Sequence, residues 1–125
     1  MANTPAGKSY FLSVPSASST ATTVVSDVPV NAWEFLNNGS QAIQVQFYVN
    51  TSTGVAVFPV AGTPQYDITI QHGALNNQTV YLPARLATAC AGLGGSTSSI
   101  VISAIAQTGT QSLTVTPVQV PNGGN

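Results

Sequence analysis

Trp33-Glu34-Phe35-Leu36-Asn37-Asn38-Gly39-Ser40-Gln41-Ala42-Ile43-Gln44-Val45-Gln46-Phe47-Tyr48-Val49 is the stretch whose reading decides the fold. Its second half alternates: Ile43, Val45, Phe47 and Val49 share one face, while Gln44, Gln46 and Tyr48 share the other. A period of two marks a β-strand with one buried and one wetter face. In the first half Trp33 and Phe35 share a face, which makes Trp33 a core anchor. Between the halves, Asn37-Asn38-Gly39-Ser40 supplies Asn and Gly, which tolerate the positive φ that tight turns require. These signals predict a hairpin of residues 30–36 and 42–50.

Working outward, residues 9–14 (SYFLSV) read as a first strand and the Ser-rich residues 16–20 as a loop. Residues 21–25 form a second strand, stopped by Ser26-Asp27 and Pro29. Beyond the central pair, residues 55–60 carry Pro59 and suit a short or edge strand. Strands follow at 66–71 and 79–82, then a second hairpin of residues 100–106 and 113–120 around Thr108-Gly109-Thr110-Gln111. Residues 84–91 (ARLATACA) are the one helix-prone run, barely two turns long, with Gly92 as its cap. Eight or nine short strands, punctuated by turns, predict an all-β fold. The expected form is an antiparallel β-sandwich, jelly roll or other Greek key, with at most one short helix near 84–91. Residues 1–8 read as a flexible N-terminal arm, 9–120 as a single domain and 121–125 as a flexible tail.

Composition bounds the function. Of 125 residues only Lys8, Asp27, Glu34, Asp67 and Arg85 carry a formal charge, and the net charge is −1. An ordinary domain is about one quarter charged. Solubility here rests instead on 15 Thr, 13 Ser, 9 Gln and 9 Asn. One Lys and one Arg build no basic patch, which excludes phosphate-led nucleic-acid binding. No stretch approaches the ~18 consecutive apolar residues of a membrane span, and no basic-then-apolar leader is visible, so neither a span nor a signal peptide is expected. A weakly charged surface offers little repulsion between copies. It suits a protein packed against other protein.

The inventory for chemistry is thin. Cys90 is the only cysteine, so no intramolecular disulfide is possible, and it reads as a small buried hydrophobe. His72, beside Gly73, reads as a turn residue. One His and one Cys with scattered carboxylates make no structural zinc site. Asp27, Glu34 and Asp67 could pair as glycosidase carboxylates, but nothing in their spacing brings them together. Gly92-Leu93-Gly94-Gly95 lacks the lysine of a phosphate loop and reads as a linker. The expectation is no enzyme, no cofactor and no metal.

Two stretches carry a family likeness. One is residues 33–40 followed by 43–49. The other is Ile100-Val101-Ile102-Ser103-Ala104-Ile105-Ala106, then Thr108-Gly109-Thr110, then Leu113-Thr114-Val115-Thr116. Together they resemble small virion structural proteins of tailed bacteriophages, often capsid decoration or cement proteins, commonly sandwiches or jelly rolls. The likeness covers about a third of the chain and brings no catalytic residues. The chain departs from many such proteins in lacking an acidic C-terminal end, and its 84–91 run is extra. The resemblance implies a structural protein on the exterior of a virion capsid, assembled in the host cytoplasm. Its partner would be the major capsid protein or another virion protein, and its expected state a homo-oligomer, a trimer on an icosahedral shell. Tyr10 and Phe11 are the candidate partner contacts, because aromatic residues concentrate interface energy. Their alternative is a place in the first core strand, weightier for Phe11. The alternative function is a receptor- or glycan-binding module of a tail fibre or adhesin, using exposed Tyr with Asn and Gln.

Overall fold

The computed structural model describes residues 3–49, 67–72, 77–86, 90 and 95–120. The strands are β1 (Thr4–Pro5), β2 (Tyr10–Pro15), β3 (Thr20–Val30), β4 (Ala32–Asn37), β5 (Ile43–Tyr48), β6 (Ile68–Ile70), β7 (Gln78–Tyr81), β8 (Thr97–Ala106) and β9 (Thr110–Gln119). The strand expected at 55–60, the tail 121–125 and Gly92–Gly94 of the linker lie outside the described residues.

All pairings are antiparallel. In the first sheet β1 and β2 lie end to end along one side of β9, followed by β4 and β7. The second sheet runs β3, β8, β5, β6. The pairing is nested: β2 with β9, β3 with β8, β4 with β7 and β5 with β6. One long ribbon, rolled so that its rungs fall alternately into two facing sheets, is a jelly roll.

The core lies between the sheets. Leu12, Val14, Trp33, Phe35, Val80, Leu113 and Val115 come from the first sheet, and Val24, Ile43, Val45, Phe47, Ile70, Ile100 and Ile102 from the second. Each side chain of this kind contributes about 1.5–3 kcal/mol on full burial. β8 is buried on both faces from Ile100 to Ala106, as a central strand that is apolar but for Ser103 should be.

Both expected hairpins are corrected. β4 and β5 belong to different sheets, as do β8 and β9. Each connection is an arch from sheet to sheet. A strand with one apolar face can bury it beside a hydrogen-bonded neighbour or across the core, and here it does the latter. Asn37 locks the first arch. Fully buried, its Oδ1 accepts the Gly39 N–H (2.9 Å), and its Nδ2 donates to the carbonyls of Gln41 (2.8 Å) and Ile70 (3.3 Å). Gln111 joins the two arches: its Oε1 accepts the Ser40 N–H (2.8 Å) and its Nε2 donates to the Thr108 carbonyl (2.8 Å). A Cβ at Gly39 would enter the space of the Gln111 side chain.

β3 is also longer than expected. It passes Ser26, Asp27 and Pro29 by a register shift between Val25 and Val30. β3 is an edge strand, where a proline's missing N–H is tolerated. Of residues 84–91, Ala84–Leu86 form one 3-10 turn, in which the Leu86 N–H donates to the Pro83 carbonyl (2.9 Å). Residues 87–89 and 91 are outside the described set. Within residues 1–8, Thr4–Pro5 pair with β9 and Ala6 is buried.

Candidate functional site

The scarce charges are spread over the molecule. At the end of β5 that extends past β6, Asp67 and Arg85 stand in for a missing ladder rung. Arg85 grips Asp67 with two bonds, Nε to Oδ1 (3.0 Å) and Nη2 to Oδ2 (2.7 Å), and Nη2 also donates to the Phe47 carbonyl (2.6 Å). Asp67 Oδ2 accepts the Phe47 N–H (2.7 Å). Both backbone groups of Phe47 are thus paired with side chains. The hydrogen bond to Asp67 holds the Arg85 guanidinium above its ordinary pKa, against the opposing effect of partial burial. Glu34 is in the other sheet, on β4, and binds neutral amides. The two carboxylates do not pair. His72 is exposed and Cys90 buried. Among the described residues no group of three or more His, Cys, Asp or Glu could hold a metal ion, and no helix is long and apolar enough to cross a membrane.

The outer edge shared by β2 and β3 has a different character. Alternation along β2 turns Leu12 and Val14 inward, and Phe11 outward with 68% of its surface exposed. On β3, Val24 enters the core, Val25 is 51% exposed and Val28, in the irregular stretch, 41%. Tyr10 is half-buried, packs against the core, and accepts the Val25 N–H at its hydroxyl (3.1 Å). It is a bracket tying one sheet's edge to the other. The Ala6 carbonyl adds a second tie, accepting the Asp27 N–H (2.7 Å). Gly7 sits where these elements crowd: a Cβ there would come within 2.9 Å of Pro117 Cγ and 3.2 Å of the Val25 carbonyl oxygen. The edge is therefore built firmly, yet presents three large apolar side chains to water.

No family model matches the chain, and neither does any curated protein or solved structure. The edge has to be read from its own chemistry.

The two aromatic candidates divide their roles. Phe11 is outside the core, contrary to its weightier alternative, and Tyr10 stays partly within it. Val25 and Val28 were not among the candidates. Thr23-Val24-Val25 held the signal for the first: of two adjacent valines in a strand only one can face inward. Val28 had none, because its exposure follows from the register shift.

Proposed function

We propose that this chain is a structural protein of an assembled virus particle, a decoration or cement protein on the capsid exterior. It would attach through the β2–β3 edge to the major capsid protein or another virion protein. The observation that carries the reading is the exposure of Phe11, Val25 and Val28 on the two flanks of one edge. The nearest charges along these elements are Lys8 and Asp27, one of each sign, so the contact has no electrostatic handle. Large exposed apolar side chains on both flanks of a rigid edge favour a protein partner. The paucity of charge and the phage-like strand motifs support the same reading. Copies assemble as a homo-oligomer, a trimer on an icosahedral shell, since closed symmetry limits association. Apolar burial at about 25 cal/mol per Å² gives each copy a modest net hold, and many copies sum.

The test is pelleting with particles. The isolated chain should co-sediment with particles stripped of it, in a fixed copy number. The double variant Phe11→Ser/Val25→Thr should stay in the supernatant while keeping the native circular dichroism spectrum. A native chain that never pellets, or a variant that pellets equally well, overturns the reading.

A further inference from the structure

We propose that the outer face of the first sheet, on the side of β7 and away from the β2–β3 edge, is a binding site for a neutral glycan, centred on Glu34 and Tyr81. It does not depend on particle attachment. Two rows of side chains lie next to each other on this face. The polar row is Thr79, Glu34 and Thr116, directly opposed across β7, β4 and β9. The adjacent row is Tyr81, Ala32, Val118 and Pro5, running from β7 to β1. Tyr81 is 49% exposed at the sheet's margin, whereas Ala32 and Val118 are buried and leave the Tyr81 ring itself as the apolar contact. An exposed aromatic ring beside a row of hydrogen-bonding groups matches a sugar ring. Such a ring has a C–H face that stacks on an aromatic π-face and a hydroxyl rim that needs polar partners.

The polar row is organised for that rim. Asn77 Nδ2 donates to Glu34 Oε1 (3.3 Å), and Asn3 Nδ2 donates to Glu34 Oε2 (3.2 Å) and to Thr79 Oγ1 (3.0 Å). These bonds fix the carboxylate without exhausting it, since a carboxylate has about four acceptor positions. Thr79 accepts from Asn3 and keeps its O–H to donate. Among the described residues the one ion pair is Arg85–Asp67, so Glu34 has no cationic partner. It is one of three carboxylates in the chain, placed on an outer sheet face where the fold needs none. Glu34 and Thr79 face each other at about 5 Å. Tyr81 lies two residues along the same face, about 7 Å further. One or two sugar units span that distance. Charge decides the class: a lone carboxylate accepts from hydroxyls and repels an acidic sugar, so neutral glycans are preferred to sialylated ones.

Saturation-transfer NMR on the full chain tests this with methyl β-galactoside, methyl β-glucoside, the methyl glycoside of N-acetylglucosamine, lactose and sialyllactose. Transfer is expected to at least one neutral sugar at millimolar concentration, with sialyllactose weaker than lactose. Tyr81→Ala and Glu34→Gln should each weaken binding tenfold or more. Tyr81→Phe, which keeps the ring, should stay within a few-fold, and Phe11→Ser should leave binding unchanged. No transfer to any of the neutral sugars, full binding by Tyr81→Ala, loss of binding in Phe11→Ser, or a preference for sialyllactose would overturn the assignment.

Discussion

Trp33 and Phe47 meet edge to face, with ring centroids 5.7 Å apart and ring planes at 85°, although they belong to opposite sheets. Phe35 leans on the same Phe47 ring at 5.9 Å. Phe47 is thus the point at which the second sheet engages both aromatic residues of β4.

Phe47→Ala should therefore cost about 3–5 kcal/mol, the range for truncating a fully buried aromatic. Gln46→Ala, one position along and facing away, should cost under about 0.5 kcal/mol. Urea denaturation of the two variants gives the comparison, and equal losses would contradict the assigned faces.

How much of this was legible beforehand depends on the property considered. The alternation from Ile43 to Val49 identified a strand and its buried face without reference to any partner, because side-chain direction is a local property. The pairing was not local. Asn37-Asn38-Gly39-Ser40 reads as a tight turn, and it does bend sharply, but Asn37 spends its amide bridging to Ile70 in the other sheet. Nothing in the turn's composition separates a hairpin from an arch. Of the candidate surface, the aromatic pair was visible in residues 10 and 11, while Val28 depended on a register shift. Glu34 and Tyr81 are 47 positions apart in sequence, and only the β4–β7 pairing makes them neighbours.

Asn37→Ala should destabilise by about 1–3 kcal/mol, since it strips the backbone groups of Gly39, Gln41 and Ile70 of a partner at once, the bond to Ile70 being the buried one. Gly39→Ala should also destabilise, through collision with Gln111. Adding Gln111→Ala should recover part of the Gly39→Ala loss, so the two changes will not be additive. A double-mutant cycle in urea reads the coupling directly.

Gln44 should behave in the opposite sense. It is buried beside Ile105, and its Oε1 makes no hydrogen bond. Gln44→Met removes that unpaired acceptor at similar volume, and should be neutral or stabilising by up to about 1 kcal/mol. A loss above that size by thermal or urea unfolding would show that the amide has a partner.

Asp67→Ala should cost more than Arg85→Ala, because Asp67 also holds the Phe47 N–H and is the less exposed partner. Arg85 is partly exposed, so its loss should be no more than about 1 kcal/mol and smaller still in high salt. Its folded pKa is raised, so its contribution is complete below the ordinary guanidinium range and lost only as pH rises past the raised value. Comparing the wild type with Arg85→Met across pH 5 to 9 should therefore give a constant difference from this group.

Attachment through the β2–β3 edge should be nearly indifferent to salt. The Debye length falls from about 10 Å at 0.1 M to about 3 Å at 1 M, which removes most ionic attraction between exposed groups. Binding to stripped particles should change less than tenfold between those concentrations. Sedimentation velocity of the free chain should show the closed oligomer by high micromolar concentration; only monomer there, with single copies on particles, would contradict it.

The nested pairing governs the order in which the molecule can be made. β9 pairs with β1, β2 and β4, so the strand in the middle of the first sheet is the last described strand to leave the ribosome. Until residues 110–119 emerge, the earlier strands of that sheet have no common neighbour, and their apolar faces wait exposed. Contacts between segments far apart in sequence close large loops and form slowly. Folding of the first sheet should therefore wait for β9, and a nascent chain stalled before β9 should be the species that chaperones capture.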